Sequence, residues 1–167
     1  LRLGIFQYSV KCLIDEYLWK RFQKDLDILV TKISKMCSHQ SDRDVPRTMF
    51  KSGICAFTKI TGSETSGVVL LIIMCLICID GKQIFLNSGI YESQVGRFIK
   101  LFEKLLVFEE WMQKENGFDN ANELQMAREK TLVLLDDIKN TLKRSTGNEM
   151  KLLKFHFLRH LIDDIER

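Results

Sequence analysis

The sequence predicts an all-α protein, a single array of five to six helices. Three observations carry that expectation. Apolar residues recur at three- and four-residue spacing over most of the chain, which is the period of a helix with one buried face. There is one proline in 167 residues, Pro46, so the strongest helix breaker is nearly absent. Hydrophobic residues make up 46% of the chain, enough to build a core.

The elements follow in order. From Leu3 to Met36 the apolar positions include Phe6, Val10, Leu13, Leu18, Phe22, Leu26, Leu29 and Ile33. They predict one long helix, or two joined near residues 16–20. Ser38 to Pro46 is polar and ends in proline, which biases Val45 away from α, so 38–46 is the one clear break in a single domain spanning 1–167. Arg47 to Ile60 carries Met49, Phe50, Ile54 and Phe57 at spacing that suits a short helix. Thr61 and Glu64 then match a capping box, the Thr hydroxyl and Glu carboxylate each serving the other's backbone N–H.

Val68 to Ile79 is an unbroken apolar run. A membrane span needs about 20 residues, so the run predicts a helix buried on all sides, with a buried strand as its rival because β-branched residues abound. Asp80-Gly81 is expected to end it. Glu92 to Lys114 predicts a helix with Val95, Phe98, Phe102, Leu105, Phe108 and Trp111 on a wide apolar face. Asn122 to Arg144 predicts another, with Leu124, Met126, Ala127, Leu132, Leu135, Ile138 and Leu142 inward. Met150 to Arg167 predicts the last helix.

The five cysteines, Cys12, Cys37, Cys55, Cys75 and Cys78, are odd in number and scattered through apolar stretches. That fits reduced thiols in an intracellular protein better than a secreted disulfide framework. Cys75-x-x-Cys78 has redox or zinc spacing, but no charged residue stands nearby to lower a thiol pKa. Two small hydrophobes in a buried helix are expected instead. His156 and His160 share a helix face near Asp163 and Asp164, yet lack the Glu of a zinc-protease motif, so structural use is expected. Cys37 and His39 with Cys55 or Cys12 match no finger spacing. Asp136-Asp137 and Asp163-Asp164 are adjacent pairs that diverge around a helix. Phosphate-binding loops and nucleophile elbows are absent from the sequence.

The net charge of +3 does not imply nucleic acid by itself. Its distribution says more. Lys139, Lys143, Arg144, Lys151, Lys154 and Arg159 cluster with Glu149 as the only acid, and Arg43, Arg47, Lys51 and Lys59 surround Pro46 against Asp44. Such surfaces can track phosphates. The candidate DNA-binding residues are Arg47, Lys51, Arg144, Lys151 and Lys154, with Arg47 and Lys51 one helical turn apart.

Several segments, in order, resemble a known family. Arg47-Thr-Met-Phe-Lys-Ser-Gly53-Ile followed by Ile60-Thr61-Gly62-Ser-Glu64 is similar to a stretch of eukaryotic DNA transposases of the Plavaka type, relatives of the CACTA group. Phe102-Glu-Lys-Leu-Leu-Val-Phe108-Glu-Glu-Trp-Met resembles the family's next helix. Lys151-Leu-Leu-Lys154-Phe155-His156-Phe-Leu-Arg-His160, running to Ile165-Glu-Arg167, resembles its segment around a Lys-Phe-His motif, with Leu152-Leu153 where the family carries proline. Leu1-Arg-Leu-Gly4-Ile-Phe6 resembles the stretch after an Asp-x-x-His motif.

The resemblance implies a parent enzyme with an RNase H-like core, in which three carboxylates hold two divalent metal ions, Mg by expectation, for strand cleavage and transfer. It places one acid before Leu1 and the last beyond Arg167. The chain would then be the helical insertion between them, inactive alone, with no catalytic residue and no cofactor of its own. Its start at Leu1 and its end within a helical pattern agree with a fragment. The implied partners are DNA, the rest of the parent transposase and a second copy, not a membrane, and the implied location is nuclear. The alternative is a stand-alone helical interaction module presenting Phe98, Phe102, Phe108 and Trp111 to a partner helix, against the plainer expectation that these rings lie in the core.

Overall fold

A computed structural model describes residues 2–37, 54–55, 64–112, 121–143 and 160. The described residues form six helices and no strand: α1 (Arg2–Tyr17), α2 (Lys20–Cys37), α3 (Glu64–Ile77), α4 (Ile79–Asn87), α5 (Glu92–Met112) and α6 (Ala121–Thr141). The all-α expectation holds. The expected helices over 47–60 and 150–167, and the Thr61–Glu64 capping box, fall on residues outside that set, apart from a turn at Ile54 and Cys55, Glu64 at the start of α3, and helical His160.

The first amphipathic stretch is two helices, joined at Leu18 and Trp19. Leu18 is buried, and burying it draws the chain inward at the junction. Phe22 N–H bonds the Trp19 carbonyl at 2.8 Å to start the new helix. The Gln23 side chain donates to the Ile14 carbonyl at 3.4 Å, serving one of the acceptors that the end of α1 leaves open.

Helix α3 occupies the centre, packed against α1, α2, α4 and α5. Val68, Val69, Leu71, Ile72, Ile73, Cys75 and Leu76 are buried, so the apolar run is a core helix and not a strand. It is not buried on all sides: Ile77 at its end is 60% exposed and Ile79, which starts α4, is 86% exposed. Its end differs from expectation. The chain turns at Cys78 by 82° into α4, and Asp80 and Gly81 belong to that new helix. Cys78 is the N-cap of α4: its Sγ accepts from Gly81 N–H at 3.3 Å and donates to the Cys75 carbonyl at 3.3 Å. Asp80 in the first turn suits the positive end of the helix dipole. Among the described residues, no single helix is long and apolar enough to cross a membrane.

Helix α4 closes in a Schellman motif. Ile90 N–H bonds the Phe85 carbonyl at 3.2 Å and Gly89 N–H the Leu86 carbonyl at 3.0 Å. Gly89 adopts φ 85°, the left-handed region that glycine enters without a Cβ penalty. This turn delivers α5, which buries Val95, Phe98, Leu101, Phe102, Leu105 and Phe108 against α3 and α6. The expectation of an internal role for Phe98, Phe102 and Phe108 therefore holds. Each such ring contributes about 1.5–3 kcal/mol by burial.

Helix α6 buries Ala127, Thr131, Leu134, Leu135, Ile138 and the following Leu142. Met126 and Leu132, expected inward, are exposed instead. Each is the immediate neighbour of a buried position, Ala127 or Thr131, and so lies about 100° away around the helix. Thr131 can occupy the inner stripe because its hydroxyl donates to the Ala127 carbonyl at 2.8 Å.

Candidate nucleic-acid interface

The five residues chosen for DNA contact, Arg47, Lys51, Arg144, Lys151 and Lys154, lie outside the described residues. Two members of the same basic cluster are described. Lys139 is in the last turn of α6, and Lys143 follows that helix; both are exposed. Cations there are favoured by the negative end of the helix dipole.

This end of α6 is fastened to the end of α1. Tyr17 Oη donates to the Thr141 carbonyl at 3.1 Å and accepts from Lys143 N–H at 2.8 Å. The Tyr17 ring meets Phe98 edge-on, with centroids 5.0 Å apart. Beside it the Cys12 thiol donates to the Leu142 carbonyl at 3.6 Å. Burial raises the Tyr17 pKa, partly opposed by the bond from Lys143 N–H, so the phenol stays protonated and able to donate. The backbone entering the basic segment is thereby held in place.

The remaining chemical candidates read as structural. Burial pushes the Cys75 thiol up to about 12, with a smaller contribution from Cys78, so Cys75 is a poor nucleophile and a poor metal ligand. Burial, then the Asp27 carboxylate, raises Cys55 as well. Its N–H donates to Asp27 Oδ1 at 3.1 Å and its thiol to the Gln23 carbonyl at 3.5 Å. Among the described residues, no three His, Cys, Asp or Glu side chains stand together as a metal site. Asp137 pairs with Lys104 across α5 and α6, while Asp136 is exposed, so the two acids do separate around their helix. His160 is exposed; His156, Cys37's side chain and His39 lie outside the described residues.

Two further surface features emerge from the packing of distant segments. One is a groove of about 620 Å³ between α5 and α6, with Val107 and Val133 on its walls and Lys100, Lys104 and Lys130 around it. The other is at the opposite end of α5, where two interhelical turns meet. Trp19, between α1 and α2, is 52% exposed. Arg21 lies 4.6 Å over the centroids of both Trp19 and Phe22, and those two rings stack with centroids 6.2 Å apart. Gly89 comes up against Trp19, since a Cβ there would meet Trp19 Cζ2 at 3.8 Å. Tyr91, two residues on, is 77% exposed. Lys20, Arg21 and Lys24 on α2 are exposed, and the first turn of that helix contains no acid. One signal in the sequence did mark this place. Trp19 falls off the apolar stripe and is followed at once by Lys20-Arg21.

No family model, no curated protein and no solved structure matches the chain.

Proposed function

We propose that the chain is the helical insertion of a cut-and-paste DNA transposase-like protein, derived from a transposable element. In this reading it carries no catalysis of its own, packs on a catalytic core supplied by the parent protein, and contacts DNA through Arg47, Lys51, Arg144, Lys151 and Lys154. The observation that carries the reading is the ordered series of segments from Leu1 to Arg167 that resembles the Plavaka-type enzymes. The all-helical architecture agrees with an insertion that adds a packed array to a core built elsewhere.

The DNA part of the proposal has a physical requirement. Cations that neutralise phosphates release counterions, so affinity must fall steeply with salt. Duplex binding by the purified chain is therefore expected to weaken as salt rises. Changing Arg47, Lys51, Arg144, Lys151 and Lys154 to Glu is expected to abolish it. Duplex affinity that ignores both salt and these charges would rule out the contact. The transposase part is tested in the genome. An Asp-x-x-His motif encoded immediately upstream and an acid shortly after a downstream Phe-Gly are expected. A reading frame that opens near Leu1 and closes near Arg167 without those acids would remove the parent enzyme.

A further inference from the structure

We propose that the end of the array formed by Trp19, Lys20, Arg21, Lys24 and Tyr91 binds single-stranded nucleic acid, with bases stacking on the aromatic rings and phosphates held by the three cations. This goes beyond the duplex contact above, because it uses other residues and another form of the polymer.

The components are those a strand requires. A single strand exposes base faces, which a duplex keeps stacked, and any base can stack on an aromatic side chain. Tyr91, 77% exposed at the start of α5, offers such a ring. Trp19 offers a second, half-exposed and kept in place by Phe22 and Gly89. Arg21 lies over the Trp19 and Phe22 rings, so its guanidinium covers part of that aromatic surface and can itself meet a phosphate or stack on a base. Lys20 and Lys24 extend the positive charge along α2.

Four acids neighbour this face in the sequence, Asp15, Glu16, Asp25 and Glu92. Glu92 is paired with Lys82. Asp25 is exposed next to Lys24 and lines a shallow groove toward α4 with Lys32 and Asp80. Asp15 and Glu16 belong to the last turn of α1. Trp, Tyr and Arg also mark protein-binding hot spots. Lys20 and Arg21 in a first helix turn without an acid, with Lys24 one turn on, favour a polyanion over a protein surface.

The test uses the whole chain and a fluorescein-labelled oligothymidylate of about 20 nucleotides, read by anisotropy, with a duplex of the same length as control. The strand is expected to bind more tightly than the duplex at this face. Three phosphate contacts predict a roughly twentyfold loss of affinity between about 50 and about 200 mM salt. Tyr91→Ala is expected to weaken binding about tenfold. Arg21→Glu with Lys24→Glu is expected to remove most of the salt dependence. These positions are exposed, and unchanged thermal unfolding will show that the variants fold. Strand affinity unaffected by either variant overturns the proposal. So does self-association of the chain that Tyr91→Ala abolishes, because that would assign the face to a second copy. The two DNA readings fail separately. Duplex binding without strand binding sinks this one alone, while strand binding without duplex binding sinks only the contact through Arg47, Lys51, Arg144, Lys151 and Lys154.

Discussion

The carbonyl oxygen of Cys75 lies 1.9 Å from the place where a Cβ on residue 81 would stand. Only glycine lets the first turn of α4 approach the last turn of α3 so closely. The obstacle is backbone, which cannot rotate away, so the elbow must open to admit a methyl group. Gly81→Ala is expected to cost about 3 kcal/mol or more, read as a lowered urea midpoint at an unchanged slope. Two other glycines calibrate the measurement. Gly89→Ala, forced to hold φ 85°, is expected to cost about 1–2 kcal/mol. Gly96→Ala, in the second turn of α5 with nothing within 4 Å of the new methyl, is expected to gain about 0.5–1 kcal/mol. Equal effects at Gly81 and Gly96 would mean that the elbow is not close-packed.

The Tyr17 hydroxyl joins α1 to the end of α6 through one donated and one accepted bond. Tyr17→Phe keeps the ring against Phe98 and removes only the oxygen. A loss of about 1 kcal/mol is expected, the net worth of such bonds when water can serve the freed groups. Hydrogen exchange at Lys143 N–H is expected to accelerate with it. Unchanged exchange there would show that the bond does not form in solution.

Ser9 is fully buried, and its hydroxyl has no hydrogen-bond partner among the described residues. An unsatisfied buried hydroxyl costs about 1–3 kcal/mol. Ser9→Ala removes it at almost no change in volume, and thermal unfolding is expected to move upward. A lower melting temperature would mean that the hydroxyl does have a bonding partner.

Stability should decline in alkali, in a defined window. Cys75 is held near 12 in the folded chain, and Cys55 and Tyr17 are also raised. Unfolded thiols and phenols ionise from about pH 8.5 to 10. Between those values and the folded ones, the unfolded state binds fewer protons, so its stability relative to the fold improves as pH rises. The contribution of these groups is fully present below about pH 8.5. It is then lost at up to about 1.4 kcal/mol per pH unit for each group. Urea titrations at stepped pH read this directly. Cys75→Ala is expected to flatten the slope, and an unchanged slope would deny the buried thiol its part.

The long periodic helices were legible in the sequence because each carries a stripe repeated over several turns. Helices α2 and α5 needed nothing beyond that pattern. Helix α4 was not legible. It has nine residues and buries only Gly81 and Phe85, too few to show a period. Its start is marked by Cys78, although N-caps are normally Ser, Thr, Asp or Asn, and its Asp80-Gly81 pair looks like a stop. On α6 the apolar side chains of Met126 and Leu132 point to a face that the fold leaves exposed, while Thr131 is buried because its hydroxyl is satisfied within the helix. The Trp19–Tyr91 surface was legible only in part. Trp19-Lys20-Arg21 shows in the sequence, but its meeting with Gly89 and Tyr91 depends on packing between distant segments.

The central place of α3 also sets the order in which the chain must be covered during synthesis. Its apolar residues emerge after α1 and α2, which can shield one side at once. The other side waits for α5, which is complete only at Met112. At about 5–20 residues per second that delay lasts a few seconds. For that time the nascent chain shows the ribosome's surroundings a bare stripe of Val, Leu and Ile, a natural target for chaperones that hold growing chains. A truncation ending before α5 would make that exposure permanent.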